Sequence, residues 1–258
     1  MTENHPEVND SLPTELDCVV AGSGFLSNFF LGVYSVASRL PHTNLMRFSG
    51  ASSGGQAPFQ LLLTGEEATI DSHLCYGHMH GHEGLIQQMF TSDRCWKAVA
   101  AELVEHHAAK LRTLDGRMFV SVTQLGWRGP RNVLYSHFSS SSKLAAEVFY
   151  ATGAPIATCD GHWPCTDGGV TLNVPLFCDG ARPQLVVDPI KCGVSKRMAV
   201  GFNIGQGTRA LERGQDAAAE FFVEYARARA EASLAGRELP RYSSKAGDLK
   251  VLNSSSCT

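Results

Sequence analysis

Twice in its first third, the chain runs a short apolar segment into glycines and then straight into a helical pattern. Leu16 to Ala21 (LDCVVA) is rich in β-branched residues and stops at Gly22-Ser23-Gly24. FLSNFFLGVYSVASRL follows with its apolar residues at helical spacing. NLMRF reads as a second strand and SSGGQAPFQLLLTG as a second helix, its start weakened by Gly54, Gly55 and Pro58. Strand, helix, strand, helix can bury their apolar faces together only in layers, so an α/β layered fold is expected.

The rest of the chain continues in that manner. SDRCWKAVAAELVEHHAAKLRTL is the strongest helical pattern: Ser92 or Asp93 can cap it, and Trp96, Val99, Leu103 and Leu111 recur on one side. RMFVSVTQLG and RNVLYSHF read as neighbouring strands joined at Trp127-Arg128-Gly129-Pro130, and SSSSKLAAEVFYATG as a helix with serine caps. QLVVDPI and RMAVGFNI are further short strands, and TRALERGQDAAAEFFVEYARARAEASLAG is a long amphipathic helix. Its Phe221, Phe222 and Tyr225 are assigned to core packing. Residues 1–15 and 241–258 are polar and are expected to be flexible tails around one domain spanning 16–240.

Composition excludes several classes. With 258 residues, 43% hydrophobic and 18% charged, the chain has material for one sizeable core. A net charge of −3 without a basic cluster gives nucleic acid no footing. The N-terminal stretch lacks the basic-then-apolar order of a secretory signal, and no window holds the ~18 consecutive apolar residues of a membrane span. Eight scattered cysteines without a CxxC pair are read as reduced, buried thiols in an intracellular setting.

Three short motifs carry chemistry. Gly50-Ala51-Ser52-Ser53-Gly54 lies between a predicted strand and a predicted helix, the context of a nucleophile elbow: small neighbours allow a sharp turn that projects Ser52 at a helix N-terminus. Gly22-Ser23-Gly24 offers backbone amides that can hold an oxyanion or a phosphate. As a dinucleotide loop it is incomplete, since Ser27 stands where GxGxxG has its third glycine. Asp167-Gly168-Gly169 is an aspartate on a tight turn, set apart from the other Asp-Gly turns by its double glycine and the VTLNVP continuation.

In this order the motifs resemble the patatin-like phospholipase family, and its animal adiponutrin-like branch more than the plant tuber patatins. AGSGFLSNFFLGV, FSGASSGGQ, SHFSSSSKLAAEVFYATGAPI and TDGGVTLNVP carry the resemblance, from about Asp17 to Ile190. It implies a three-layer α/β/α sandwich around a mostly parallel sheet. It also implies a Ser-Asp dyad, with Ser52 as nucleophile and Asp167 as its base. The amides of Gly22, Ser23, Gly24 and Ser53 would form the oxyanion hole, and Gly50, Gly54, Gly168 and Gly169 would supply the motif glycines. No metal or diffusible cofactor is implied. The expected substrate is a lipid ester (phospholipid, lysophospholipid or acylglycerol), met by a cytoplasmic protein peripherally at a membrane or lipid droplet. The alternatives are a transacylase and a lipid-binding protein with little turnover. A side chain at Ser27, where the family has glycine, is expected to crowd the loop or the substrate entrance. The FLSNFFLGV and PFQLLL helices are expected to line an acyl cleft.

Two further features are set aside. His73, Cys75, His78, His80 and His82 cluster, but their intervening glycines break a regular scaffold and suggest a flap rather than a zinc site. His162 precedes Asp167, against the Ser-acid-His order of α/β hydrolases.

Overall fold

A computed structural model of the chain describes residues 12–80, 97–153, 157–159, 163–192 and 206–253. In chain order the elements are β1 (Glu15–Val20), α1 (Ser27–Ala37), β2 (Asn44–Ala51), α2 (Ser53–Thr64), α3 (Glu66–His80), α4 (97–106), β3 (Met118–Gly126), β4 (Gly129–Tyr135), α5 (Ser142–Ala151), β5 (Ala157–Cys159), β6 (Trp163–Asp167), β7 (Gln184–Val187), α6 (Gln206–Leu234), β8 (Arg241–Ser243) and β9 (Leu249–Leu252). The nine strands among the described residues form one sheet in the order β5-β6-β3-β2-β1-β7-β9-β8, with β4 also paired to β3. The ladders among β3, β2, β1 and β7 are parallel, and the outer ones are antiparallel. The fold is therefore α/β, with a mixed sheet that is parallel at its centre and flanked by helices.

Burial explains where local propensity was overridden. α2 keeps Gly54, Gly55 and Pro58 inside a helix because the segment Ser53–Leu61 is buried, and tertiary packing stabilises helices more than propensity does. Phe59 meets Phe138 edge-on at 5.2 Å and Phe149 at 5.3 Å. The apolar side chains of α1 and α2, including Phe29, Phe30, Phe59 and Leu63, fill this core. That corrects the expectation that these helices line an acyl cleft. On the opposite sheet face, Val19 and Val186 are covered by Val174, Leu176 and Phe177.

Other expectations change as well. The C-terminal stretch is not a loose tail: β9 pairs antiparallel with β7, and Leu249 and Val251 are buried. Phe221 and Tyr225 of α6 are buried and hold Tyr242 of β8 at 5.6 and 5.7 Å. At the other end, Leu12 is buried and Thr43 Oγ1 donates to Pro13 O at 2.9 Å, so residues 12–14 are docked rather than flexible. Cys18, Cys165 and Cys192 are buried as expected, whereas Cys75 and Cys178 are exposed. The predicted RMAVGFNI strand (197–204) and the predicted start of the fourth helix (Ser92, Asp93, Trp96) lie outside the described residues.

One buried charge ties the sheet to the segment that follows Asp167. Asp17, fully buried in β1, accepts from Arg47 Nε of β2 through both carboxylate oxygens at 3.0 Å. The same guanidinium donates to Asp179 at 2.5 and 3.1 Å and lies 4.2 Å above the ring of Phe177. Arg182 lies 3.8 Å from Asp17 and donates to Glu15 at 2.7 Å. A buried carboxylate is tolerated only while it is paired, and removing one partner costs about 3–5 kcal/mol. Arg47→Met is accordingly expected to lower the urea-unfolding free energy by about that amount. The double variant Arg47→Met, Asp17→Asn should lose clearly less, because no uncompensated charge remains.

Candidate active site

β2 ends at Ala51 and α2 begins at Ser53, so the chain reverses direction at a single residue. Ser52 takes φ 55° and ψ −140°, a conformation that a non-glycine residue adopts only under constraint. The constraint is visible in the flanking glycines. A Cβ on Gly50 would stand 2.0 Å from Gly54 O, and one on Gly54 would stand 2.5 Å from Val20 O. Only glycine allows strand, turn and helix to approach this closely. Ser52 is half-buried, whereas Ser53 is buried, so Ser52 is the serine the turn presents.

Register brings Asp167 to the same place. Along one side of β3, Ala51 pairs with Ser121 and Asp167 pairs with the next residue, Val122. The other side of β3 is occupied by β4 over this stretch. β2 and β6 therefore run head to head against a single edge, and their last residues abut. The Ser52 hydroxyl stands beside the Asp167 carboxylate, which accepts from Gly169 N at 2.7 Å. Burial raises the Asp167 pKa above the ordinary value, against the opposing pull of the Ser52 hydroxyl and the Gly169 amide.

Neighbouring side chains hold the aspartate turn. Thr123 Oγ1 donates to Asp167 O at 2.8 Å and lies 2.8 Å from Thr171 Oγ1. Ser121 Oγ donates to Leu172 O at 3.2 Å and accepts from Asn132 Nδ2 at 2.7 Å. Gly168 is packed against the Ser121 carbonyl. Asn173 joins this turn to the glycine loop: its Nδ2 donates to Gly22 O and its carbonyl accepts from Gly22 N, each at 3.3 Å. These anchors were missed in the sequence. The small hydroxyls of Ser121 and Thr123, alternating with buried valines in β3, were the signal available.

The four expected oxyanion donors are not equivalent. The Gly22 amide is committed to Asn173, so it drops out of the donor set; its lack of a side chain leaves room beside Ser52 Cβ. The Ser23 amide donates to Ser53 Oγ at 3.3 Å. Gly24 opens a 3-10 turn and Ser53 is the first residue of α2, positions whose amides have no intrahelical acceptor. Neither amide has an acceptor among the described residues. Ser27 is buried with its hydroxyl 3.1 Å from His73 Nδ1, so it points into the contact between α1 and α3 and not toward an entrance. Burial pushes His73 down to about 4, leaving the ring neutral at physiological pH. His73, Cys75, His78 and His80 stand on a continuous helix, not on a glycine-broken flap. His82, Asp160 and His162 lie outside the described residues. A groove of about 510 Å³ between α4 and α5, lined by Ala100, Val104, Ala146 and Tyr150, does not include the dyad.

No family model, curated protein or solved structure matches the chain.

A half-buried serine beside a partly buried carboxylate, near amides with no acceptor among the described residues, can attack an electrophilic carbon and stabilise the resulting anion. The strain at residue 52 has a separate signature. Ser52→Gly, which relieves the positive φ, is expected to be more stable than Ser52→Ala, which keeps it, by about 1 kcal/mol in urea unfolding.

Proposed function

We propose that the chain is a serine acyl hydrolase of the patatin-like kind, cleaving carboxylic esters of lipids through a Ser52–Asp167 dyad. The observation that carries this reading is the juxtaposition of the strained Ser52 hydroxyl and the Asp167 carboxylate where β2 and β6 meet on β3. A serine hydroxyl is a weak nucleophile until a base takes its proton, and desolvation makes a carboxylate a better base. In the proposed cycle Asp167 accepts the Ser52 proton as Oγ attacks the ester carbonyl carbon. The amides of Gly24 and Ser53 donate to the tetrahedral oxyanion, and Asp167 returns the proton to the departing alcohol. Water, or another acyl acceptor in a transacylation, then releases the acyl group from Ser52.

The proposal includes the family's three-layer α/β/α arrangement of the fold. A peripheral position at a membrane or lipid droplet belongs to it too. Among the described residues no helix is long and apolar enough to cross a membrane.

A fluorophosphonate probe is expected to label the wild type and not Ser52→Ala, and a lipid panel should show ester hydrolysis lost in both Ser52→Ala and Asp167→Asn. A well-folded wild type that neither takes the probe nor hydrolyses any lipid would leave a lipid-binding protein in place of the enzyme. The pH profile gives a second check. The base must be ionised, so kcat/KM should fall as pH drops through the raised Asp167 pKa, with an acid limb above the ~3.9 of an ordinary aspartate.

Stability should run the other way. A raised folded-state pKa favours the native state at low pH, and that advantage is lost as pH rises through it. Asp167→Asn should therefore be inactive yet more stable than the wild type at neutral pH in thermal unfolding.

A further inference from the structure

Leu125, Trp127, Leu134, Val170 and Leu172 are five of the seven large apolar side chains exposed among the described residues. All five lie on the β3–β4 hairpin or within five residues after Asp167. Strand alternation and register put Ser121, Thr123 and Leu125 of β3 on one face with Pro130, Asn132 and Leu134 of β4. Thr171 is fastened to that same face by Thr123 at 2.8 Å and Asn132 at 3.2 Å, which brings Val170 and Leu172 alongside. Trp127, 94% exposed, caps the hairpin tip. It stands five residues beyond the Val122–Asp167 pairing, about 16 Å further out at ~3.3 Å per residue.

Charge completes the pattern. Residues 116–135 hold three arginines and no carboxylate, and residues 168–178 hold no charged residue, in a chain whose net charge is −3. Arg128 has no partner among the described residues, and Arg131 donates only to the Gln124 carboxamide, at 2.9 and 3.2 Å. An apolar cluster on one face of a hairpin that carries Arg131 on its reverse face and Arg128 beside Trp127 at its tip matches a lipid interface: the indole sits at headgroup depth and the arginines meet anionic headgroups.

We propose that this hairpin face is the surface by which the chain lands on an anionic phospholipid bilayer, turning the Ser52–Asp167 dyad toward the membrane. The assignment rests on the lipid-ester reading of that dyad for its meaning, but it can be measured without turnover.

The test uses the full chain with vesicles of phosphatidylcholine, with and without phosphatidylserine. In an otherwise Ser52→Ala background, which keeps the lipid intact, the protein should sediment with phosphatidylserine vesicles, and Trp127→Glu or Val170→Glu should weaken this at least about tenfold. Arg128→Gln with Arg131→Gln should abolish the preference for phosphatidylserine and its sensitivity to salt. In otherwise wild-type protein, Trp127→Glu should hydrolyse a soluble short-chain ester at the unaltered rate while losing activity on vesicles.

Sedimentation that is absent, or unchanged by Trp127→Glu and Val170→Glu, overturns the proposal. So does a concentration-dependent dimer that Trp127→Glu dissolves without any effect on vesicles. Vesicle binding that behaves as described, in a protein that hydrolyses no ester, would sink the enzymatic reading and leave the surface standing. Ester hydrolysis without vesicle binding would do the reverse.

Discussion

β3 offers more hydrogen-bonding edge than β2 can cover. β2 stops opposite Ser121, and β6, arriving from the opposite direction, takes over at Val122. Two strands that meet end to end on one edge must each leave it, and both do so through tight turns: Ser52 into a helix, Asp167 into Gly168-Gly169. The two reactive side chains are neighbours because the backbone pairing leaves them no other place. A slip of one residue in either ladder would turn its side chains to the other sheet face and separate the pair.

The aspartates at this end of the sheet stand in opposite surroundings. Asp17 meets the guanidinium groups of Arg47 and Arg182, and Asp179 is held at about 2 chiefly by its hydrogen bond to Arg47. A carboxylate held low as Asp179 is stays ionised and makes a poor base. Asp167 faces the Ser52 hydroxyl and accepts from a backbone amide, with no cation beside it among the described residues, and burial is the largest influence on it. The arginines thus secure the 172–183 segment from a distance, while the carboxylate at its head keeps its appetite for a proton.

Much of this was legible in the residues. The glycine-bounded strand endings of LDCVVA and FSGA announced both β1 and the turn at Ser52, since close backbone approach admits no other residue type. The Asp167-Gly168-Gly169 turn was legible for the same reason. What local pattern could not convey was which donors the fold consumes. Gly22 resembles an oxyanion donor until Asn173, 151 positions away, takes its amide. Ser27 resembles an obstruction at an entrance until His73 of α3 is seen beside it. Phe29 and Phe59 are apolar at helical spacing whether they face core or cleft. The LKVL run of β9 was hidden among serines, and its alternation is too short to separate a strand from a tail.

That final hairpin bears on how the protein comes to exist. β7 lies beside β1 at the heart of the sheet, and its outer edge is closed only by residues 249–252. A nascent chain that has not yet emerged past residue 252 cannot supply them, so until then β7 presents an open row of amides and carbonyls. Such an edge recruits strands from other chains. A recombinant version ended at residue 240, where the polar composition invites a cut, would carry that open edge permanently and would tend to aggregate.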